Sequence, residues 1–288
     1  MSYPQPGILA DVPAQARYLT FDISDPSEIS AALQQLARFA DGEQVVIGIG
    51  RPVSDALGIS IPELKSFPVI DAAKVDIPAT QSALWCWLRG EDRGELVHIS
   101  RKIIEILSGG FECISIIDGF RYDIGRDLTG YEDGTENPTD GDAIAAAIAA
   151  DGSSFVAVQQ WVHDLDDFLT RPEEEQDDTI GRRKSDNEEF DEAPETAHVK
   201  RVAQEDFDPE AFVVRRSMPW ADAGHEGLVF VAFGKNFDAY TTLLTHMVGA
   251  DDGKVDALFS FTTPVTGSFF WCPPMKGEKL DLSLLGIG

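Results

Sequence analysis

Asp133 stands in the stretch 130–138, GYEDGTENP, where glycines bracket two carboxylates and neither helix nor strand can continue. A carboxylate so placed can take up and return a proton. A second chemical group lies in FVVRRSMPW, where Arg215 and Arg216 are adjacent. Neighbours on a strand face opposite sides, so one guanidinium points inward and needs an anionic partner. Ser217 falls on the same side as Arg215. The third is His198, which closes the acidic passage 171–198. One carboxylate base, one permanently charged cation and one imidazole able to ligate iron axially are the parts that break a peroxide bond at haem. The base moves a proton from one peroxide oxygen to the other. The cation offsets the charge that develops on the departing oxygen.

Each group also has a plainer explanation. Asp133 fits an ordinary turn, or a calcium loop, although D-x-[DN]-x-[DN]-G-x5-E is not matched. The inward arginine fits a structural ion pair, and His198 fits a structural or exposed role. His98, His163, His225 and His246 form neither HExxH nor a Cys/His pattern, so a multi-histidine zinc site is not expected.

Composition narrows the partners. The 288 residues carry 50 acidic and 23 basic side chains, a formal net charge of −27. Nucleic acid and anionic membranes are repelled by such a chain. No apolar run is long enough to span a bilayer, and MSYPQPGILADVPAQ lacks the basic and apolar regions of a signal peptide. Cys86, Cys113 and Cys272 have no metal-ligand spacing and read as buried thiols, so a reducing, cytoplasmic location is expected.

The elements that must position these groups follow from periodicity. Strands are expected at 17–24, 43–50, 82–90 and 111–118, with helices at 26–40 and 94–109. Asp25 is the expected N-cap of the first helix. The pattern recurs with strands at 153–164, 210–220, 226–234 and 261–274 and a helix at 236–249. The weak repeat implies an α+β fold, a duplicated ferredoxin-like arrangement of two β-α-β-β-α-β units with helices packed on antiparallel sheets. The acidic passage 171–198 is expected to be a solvated loop.

The motifs together resemble the dye-decolorizing peroxidase family, in its bacterial, non-secreted B-type subgroup. GYEDGTENP is similar to the family's GxxDG motif, and IGRRKSDNEEFDEAPETAHVKRV to the segment that leads to the proximal histidine. VVRRSMPW resembles the distal arginine strand, and FTTPVTGSFFWCPP the C-terminal strand. The resemblance implies haem b as cofactor, with His198 as the iron ligand. It implies Asp133 and Arg215 as the distal acid–base and cationic groups, and Ser217 beside the bound peroxide. Arg182, rather than Arg183, is implied as partner of a haem propionate, and Asp256 as acceptor of the His198 ring N–H. The flanking glycines would let the backbone approach the macrocycle without a Cβ clash. Residues 1–140 would carry the distal loop and 141–288 would hold the haem.

The implied activity is reduction of hydrogen peroxide coupled to one-electron oxidation of dyes, phenolics or Mn2+. A haem-binding protein for porphyrin handling or iron release is the alternative. Arg215 is expected to depress the pKa of Asp133, giving an acidic optimum at roughly pH 4–5.5. Tyr131 and Trp220 are the expected electron relays. The family suggests homo-oligomers. The apolar tail 277–288, GEKLDLSLLGIG, resembles the tails that dock some members in encapsulin shells.

Overall fold

Alternating apolar residues build the first strand, β1 (Gln15–Ile23), within the computed structural model, which describes residues 2–288. The Asp25 carboxylate then accepts the Ser27 N–H and opens a 3-10 turn leading into α1 (Ile29–Phe39). Helix α1 turns Ile29, Ala32, Leu33, Leu36 and Ala37 inward, the i, i+3, i+4, i+7, i+8 stripe of an amphipathic helix. β2 (Val45–Gly50), α2 (Arg51–Ala56) and β3 (Leu84–Gly90) follow. Helix α3 (Arg93–Leu107) begins where Asp92 accepts the Glu95 N–H, and β4 (Phe111–Phe120) completes the unit.

The second unit runs α4 (Asp140–Ala147), β5 (Ser154–His163), the short helices α5 (Leu165–Thr170), α6 (Glu173–Ile180) and α7 (His198–Arg201), then β6 (Val214–Arg215), β7 (Met218–Ala221) and β8 (Glu226–Gly234). It closes with α8 (Asp238–Met247), β9 (Thr262–Pro264) and β10 (Ser268–Cys272). The first sheet is ordered β4-β1-β3-β2 and the second β7-β8-β5-β10, all antiparallel. With β6–β7 and β9–β10 each taken as one strand path, both orders are the ferredoxin-like 4-1-3-2.

The sheets join at both edges. β2 meets β10 through Ile49↔Trp271 and Gly50↔Phe270, and β4 meets β7 at Gly119↔Trp220. The strand paths therefore close into a ring. Its interior is filled by Tyr18, Trp85, Trp87, Phe233 and Phe270. Each fully buried ring of this size contributes roughly 1.5–3 kcal/mol. Helices α1, α3 and α8 pack their apolar stripes on the outer sheet faces, in the larger core.

Three expectations change. The expected strand 210–220 is interrupted at Arg216–Ser217, although its register against β8 continues. The Val231 N–H turns to the Ser217 hydroxyl, 3.3 Å away, so a side chain takes a ladder bond. The expected strand 261–274 divides into β9 and β10, whose pairing with β5 slips by one residue. The acidic passage is not all loop, because α6 occupies Glu173–Ile180, with acidic residues in its first turn that suit a helix N-terminus.

The C-terminal tail folds back on the chain. Leu282 and Leu285 are buried in the larger core, and the Gln34 side chain on α1 donates to the Gly288 carbonyl at 2.8 Å. Among the described residues no helix is long and apolar enough to cross a membrane.

Candidate active site

The segment between β5 and β6 covers the second sheet and leaves a cavity of about 270 Å3 beneath it. Ile180, Val199, Leu243, Leu258 and Phe261 give it apolar walls, and Asp133, Arg215, His198 and Arg182 all reach it. His198 is placed by the single turn α7, after the left-handed Gly181 ends α6. Its Nδ1 lies 2.8 Å from Oδ2 of Asp256, which is buried. The other Asp256 oxygen accepts the Leu258 N–H and caps the 3-10 turn Ala257–Ser260. A carboxylate can only accept, so Nδ1 carries the proton and Nε2 keeps its lone pair. Nε2 has no hydrogen-bond partner among the described residues.

A second histidine lines the same cavity. His163 is engaged at both nitrogens, by Thr262 Oγ1 at 2.5 Å and Asp127 Oδ2 at 3.2 Å. Of the two cavity imidazoles, His198 is the one with a nitrogen to offer a metal.

Asp133 enters from the loop that follows β4. Its N–H donates to the Gly125 carbonyl, and Asp133 borders both this cavity and a second one on its other side. Burial pushes its pKa above the ordinary carboxylate value, and the positive charge of Arg215 pulls the other way. The expected net depression is therefore corrected. Desolvation outweighs the guanidinium, because Asp133 and Arg215 make no ion pair among the described residues.

The glycines have a local reason as well, and Gly134 lines the cavity. Gly134 adopts φ +78°, and a Cβ there would stand 2.8 Å from Asn137 Nδ2; at Gly130, φ +91°, it would meet Lys184 Cε at 2.6 Å. These two glycines thus also serve the loop's own left-handed turns and its packing on Asn137 and Lys184. The carboxylates of the loop also diverge, as calcium ligands would not. Asp133 faces the cavity, Glu132 bonds Arg126 and Glu136 bonds Arg182.

Asn137 ties this loop to the arginine strand. Its Oδ1 accepts the Arg215 N–H at 2.7 Å and its Nδ2 donates to the Arg215 carbonyl at 3.0 Å. Arg215 lines the cavity, whereas Arg216 turns away to the Leu9 carbonyl. Ser217 does not line the His198 cavity. It lines a second cavity of about 300 Å3 behind Asp133 and Arg215, and its hydroxyl accepts the Val231 N–H. Arg182 does line the His198 cavity, and Arg183 instead points outward to Asp186 and Glu188. The Arg182 guanidinium is already held by Glu136 at 2.7 Å and Glu189 at 3.2 Å.

The donor set suits a flat apolar macrocycle carrying one metal. It offers one free imidazole nitrogen, a greasy slot, and a base and a cation facing the same space. The family model for "Dyp-type peroxidase, C-terminal" matches residues 125–277. A dye-decolorizing peroxidase from Mycolicibacterium paratuberculosis is 30% identical over 94% of this chain and 83% of that protein. The chain belongs to the dye-decolorizing peroxidase family.

Two solved members of the family bear on the cavity and the tail. A DypB variant from Rhodococcus jostii, in complex with heme, superposes with a TM-score of 0.85 at 26% identity, over 94% of this chain and 96% of that one. The encapsulated DyP-type peroxidase from Mycobacterium smegmatis, seen by cryo-EM, superposes with a TM-score of 0.82 at 29% identity, over 94% and 96%. Within this dye-decolorizing peroxidase the expected relays separate. Tyr131 lines the cavity, donates to Asp177 at 2.5 Å and has Lys184 over its ring. Trp220 packs in the ring interior and donates to the Trp161 carbonyl. Trp161 is the tryptophan that reaches the cavity. Sequence reasoning passed over Asn137 and His163. Asn137 lies inside the GYEDGTENP motif, which was a usable signal, whereas His163 sits in an ordinary strand pattern.

Proposed function

We propose that this peroxidase binds haem b through His198 and reduces hydrogen peroxide with electrons from one-electron donors such as dyes, phenolics or Mn2+. The observation that carries it is one cavity holding His198, backed by Asp256, together with Asp133 and Arg215. Haem supplies the iron at which peroxide is activated and the oxidising equivalents that pass to donors. The chain supplies the rest. Asp256 fixes the His198 tautomer and raises the basicity of Nε2. Asp133 accepts the proton of one peroxide oxygen and delivers it to the other. Arg215 offsets the charge on the departing oxygen, and Asn137 holds Arg215 in register with the Asp133 loop. Ser217 acts from the second cavity, behind that pair. Arg182 would pair with a propionate of bound haem in place of Glu136 or Glu189.

Residues 1–140 act as the half that carries the distal loop and 141–288 as the half that grips haem. The strong negative charge favours cationic donors over anionic dyes. A cytoplasmic homo-oligomer is the proposed working form. Entry into an encapsulin shell would use the tail 277–288, with Leu282 and Leu285 leaving their seats. The test is the absorption spectrum of purified protein and of His198→Ala, followed by rapid mixing with hydrogen peroxide. A Soret band lost in the variant, with a fast peroxide-dependent spectral change in the wild type, is expected. Haem bound identically by His198→Ala reassigns the ligand. Bound haem that ignores peroxide favours a porphyrin-handling protein.

A further inference from the structure

The second cavity, of about 300 Å3, shares Asp133, Gly134, Arg215 and Leu228 with the His198 cavity. The distal pair is thus a partition with space on both sides. Hydrogen peroxide has two heavy atoms and does not need a chamber of that size behind the pair. The far chamber has a mixed lining: Val12, Tyr122, Ile124, Met218 and Pro219 give it an aliphatic and aromatic side, and Asp11, Arg126, Asn137 and Ser217 a polar one. Arg121, an exposed residue of the lining, has no ion pair or hydrogen bond for its guanidinium among the described residues, in a chain of net charge −27.

We propose that this chamber receives the organic group of alkyl and aryl hydroperoxides, so that the protein reduces ROOH as well as hydrogen peroxide. The inference rests on the peroxidase assignment of the His198 cavity. In ROOH the terminal oxygen is the unsubstituted one and must face the His198 side. The substituted oxygen is then the one held at Asp133 and Arg215, and its organic group extends away from His198. The second cavity lies against the same pair and gives that group a place to extend. The O–O bond breaks and its electron pair goes to the substituted oxygen. Asp133 passes to that oxygen the proton it took from the terminal one, and ROH leaves through the chamber. The terminal oxygen ends as water, after two one-electron donor molecules are oxidised and two protons are taken up. The sum is ROOH + 2 e− + 2 H+ → ROH + H2O.

The chamber walls come from parts of the chain far apart in sequence. Val12 belongs to the segment that Arg216 and Arg89 grip through the Leu9 and Asp11 carbonyls. Tyr122 and Ile124 follow β4, and Met218 and Pro219 belong to β7. The gripped segment gives the wall a fixed shape, as a specificity pocket requires.

The probe is cumene hydroperoxide with haem-loaded protein, alongside hydrogen peroxide. The variants are Val12→Phe, which fills the chamber, and Ile124→Trp, which narrows its exposed mouth without touching the core. Wild type is expected to react with cumene hydroperoxide and release cumyl alcohol rather than acetophenone, the product of one-electron cleavage. Both variants are expected to lower that rate by about tenfold more than the hydrogen peroxide rate, the scale of a steric pocket change. Calorimetry with cumyl alcohol, which cannot react, should show binding to wild type and loss of it in the variants. Reaction with hydrogen peroxide but none with cumene hydroperoxide overturns the proposal and leaves the peroxidase assignment standing. Equal slowing of both peroxides, acetophenone as the main product, or cumyl alcohol binding unchanged in both variants also overturns it. Failure with both peroxides in wild type overturns the peroxidase assignment itself.

Discussion

Nδ1 of His198 lies 2.8 Å from Oδ2 of Asp256, and Asp256 is only 1% exposed. A buried carboxylate needs a donor, and this one has the imidazole N–H and the Leu258 N–H. The pair therefore holds the ring at a fixed angle before any metal arrives. Asp256→Asn can present its amide N–H to the ring and reverse the tautomer. Haem affinity is expected to fall by about 10–100-fold, the usual cost of losing such a partner. Haem transfer to apomyoglobin measures it, and a wild-type transfer rate in Asp256→Asn would show that the carboxylate is not needed.

Arg215 is fixed through its backbone by Asn137 and presents a guanidinium without a partner among the described residues. Such preorganisation is what makes a charge effective on a developing anion. Arg215→Leu is expected to slow the reaction with hydrogen peroxide by about 10²–10³. Removing its charge also removes the largest of the causes that lower the Asp133 pKa, so the acidic limb of the pH–rate profile should move to higher pH. Asn137→Ala should cost less, with the limb unmoved. Stopped-flow traces across pH decide, and a wild-type rate in Arg215→Leu removes the guanidinium from the chemistry.

How far the chain could be read before its structure depended on range. Strand and helix order follows from local periodicity, and both ferredoxin-like units were legible that way. Closure of the ring was not, because it hangs on a few pairs such as Gly119↔Trp220 between distant segments. Asp133, Arg215 and His198 lie in one cavity, as their motifs implied. The sign of the Asp133 shift was beyond the sequence, since it depends on how much protein encloses the carboxylate. Ser217 shows the limit of strand alternation. Alternation set it on the face of Arg215 but said nothing of the partition that puts it in the other cavity.

Asp133 should also cost stability. Burial raises its folded-state pKa above that of the unfolded chain. The folded protein then holds this proton more tightly. The resulting stabilisation is fully present below the unfolded value, about 4, and is lost as pH rises through the folded value. Asp133→Asn keeps the shape without the charge. It should melt at a higher temperature than wild type at about pH 7, with the gap closing towards about pH 4. Melting curves at both pH values test this, and a variant less stable at neutral pH would contradict the sign.

The tail makes a last prediction, because its apolar residues have a seat in this chain. Leu285 is 2% exposed and Leu282 is 3% exposed, both in the core that includes Leu33 and Leu36 of α1. Leu285→Ala removes buried methyl groups and leaves a void, at a cost of about 2–5 kcal/mol, with a terminal site able to relax placed towards the low end. Shell docking through the same residues would have to overcome that burial, so any shell contact competes with folding back on α1. Leu285→Ala should then lower the melting temperature while Leu284→Ala, at a side chain 44% exposed, leaves it near wild type. Mixing each variant with a purified encapsulin shell completes the test. If tail residues carry docking, Leu284→Ala weakens capture without loss of stability, whereas equal melting temperatures for the two variants would mean that the tail has no seat on the chain.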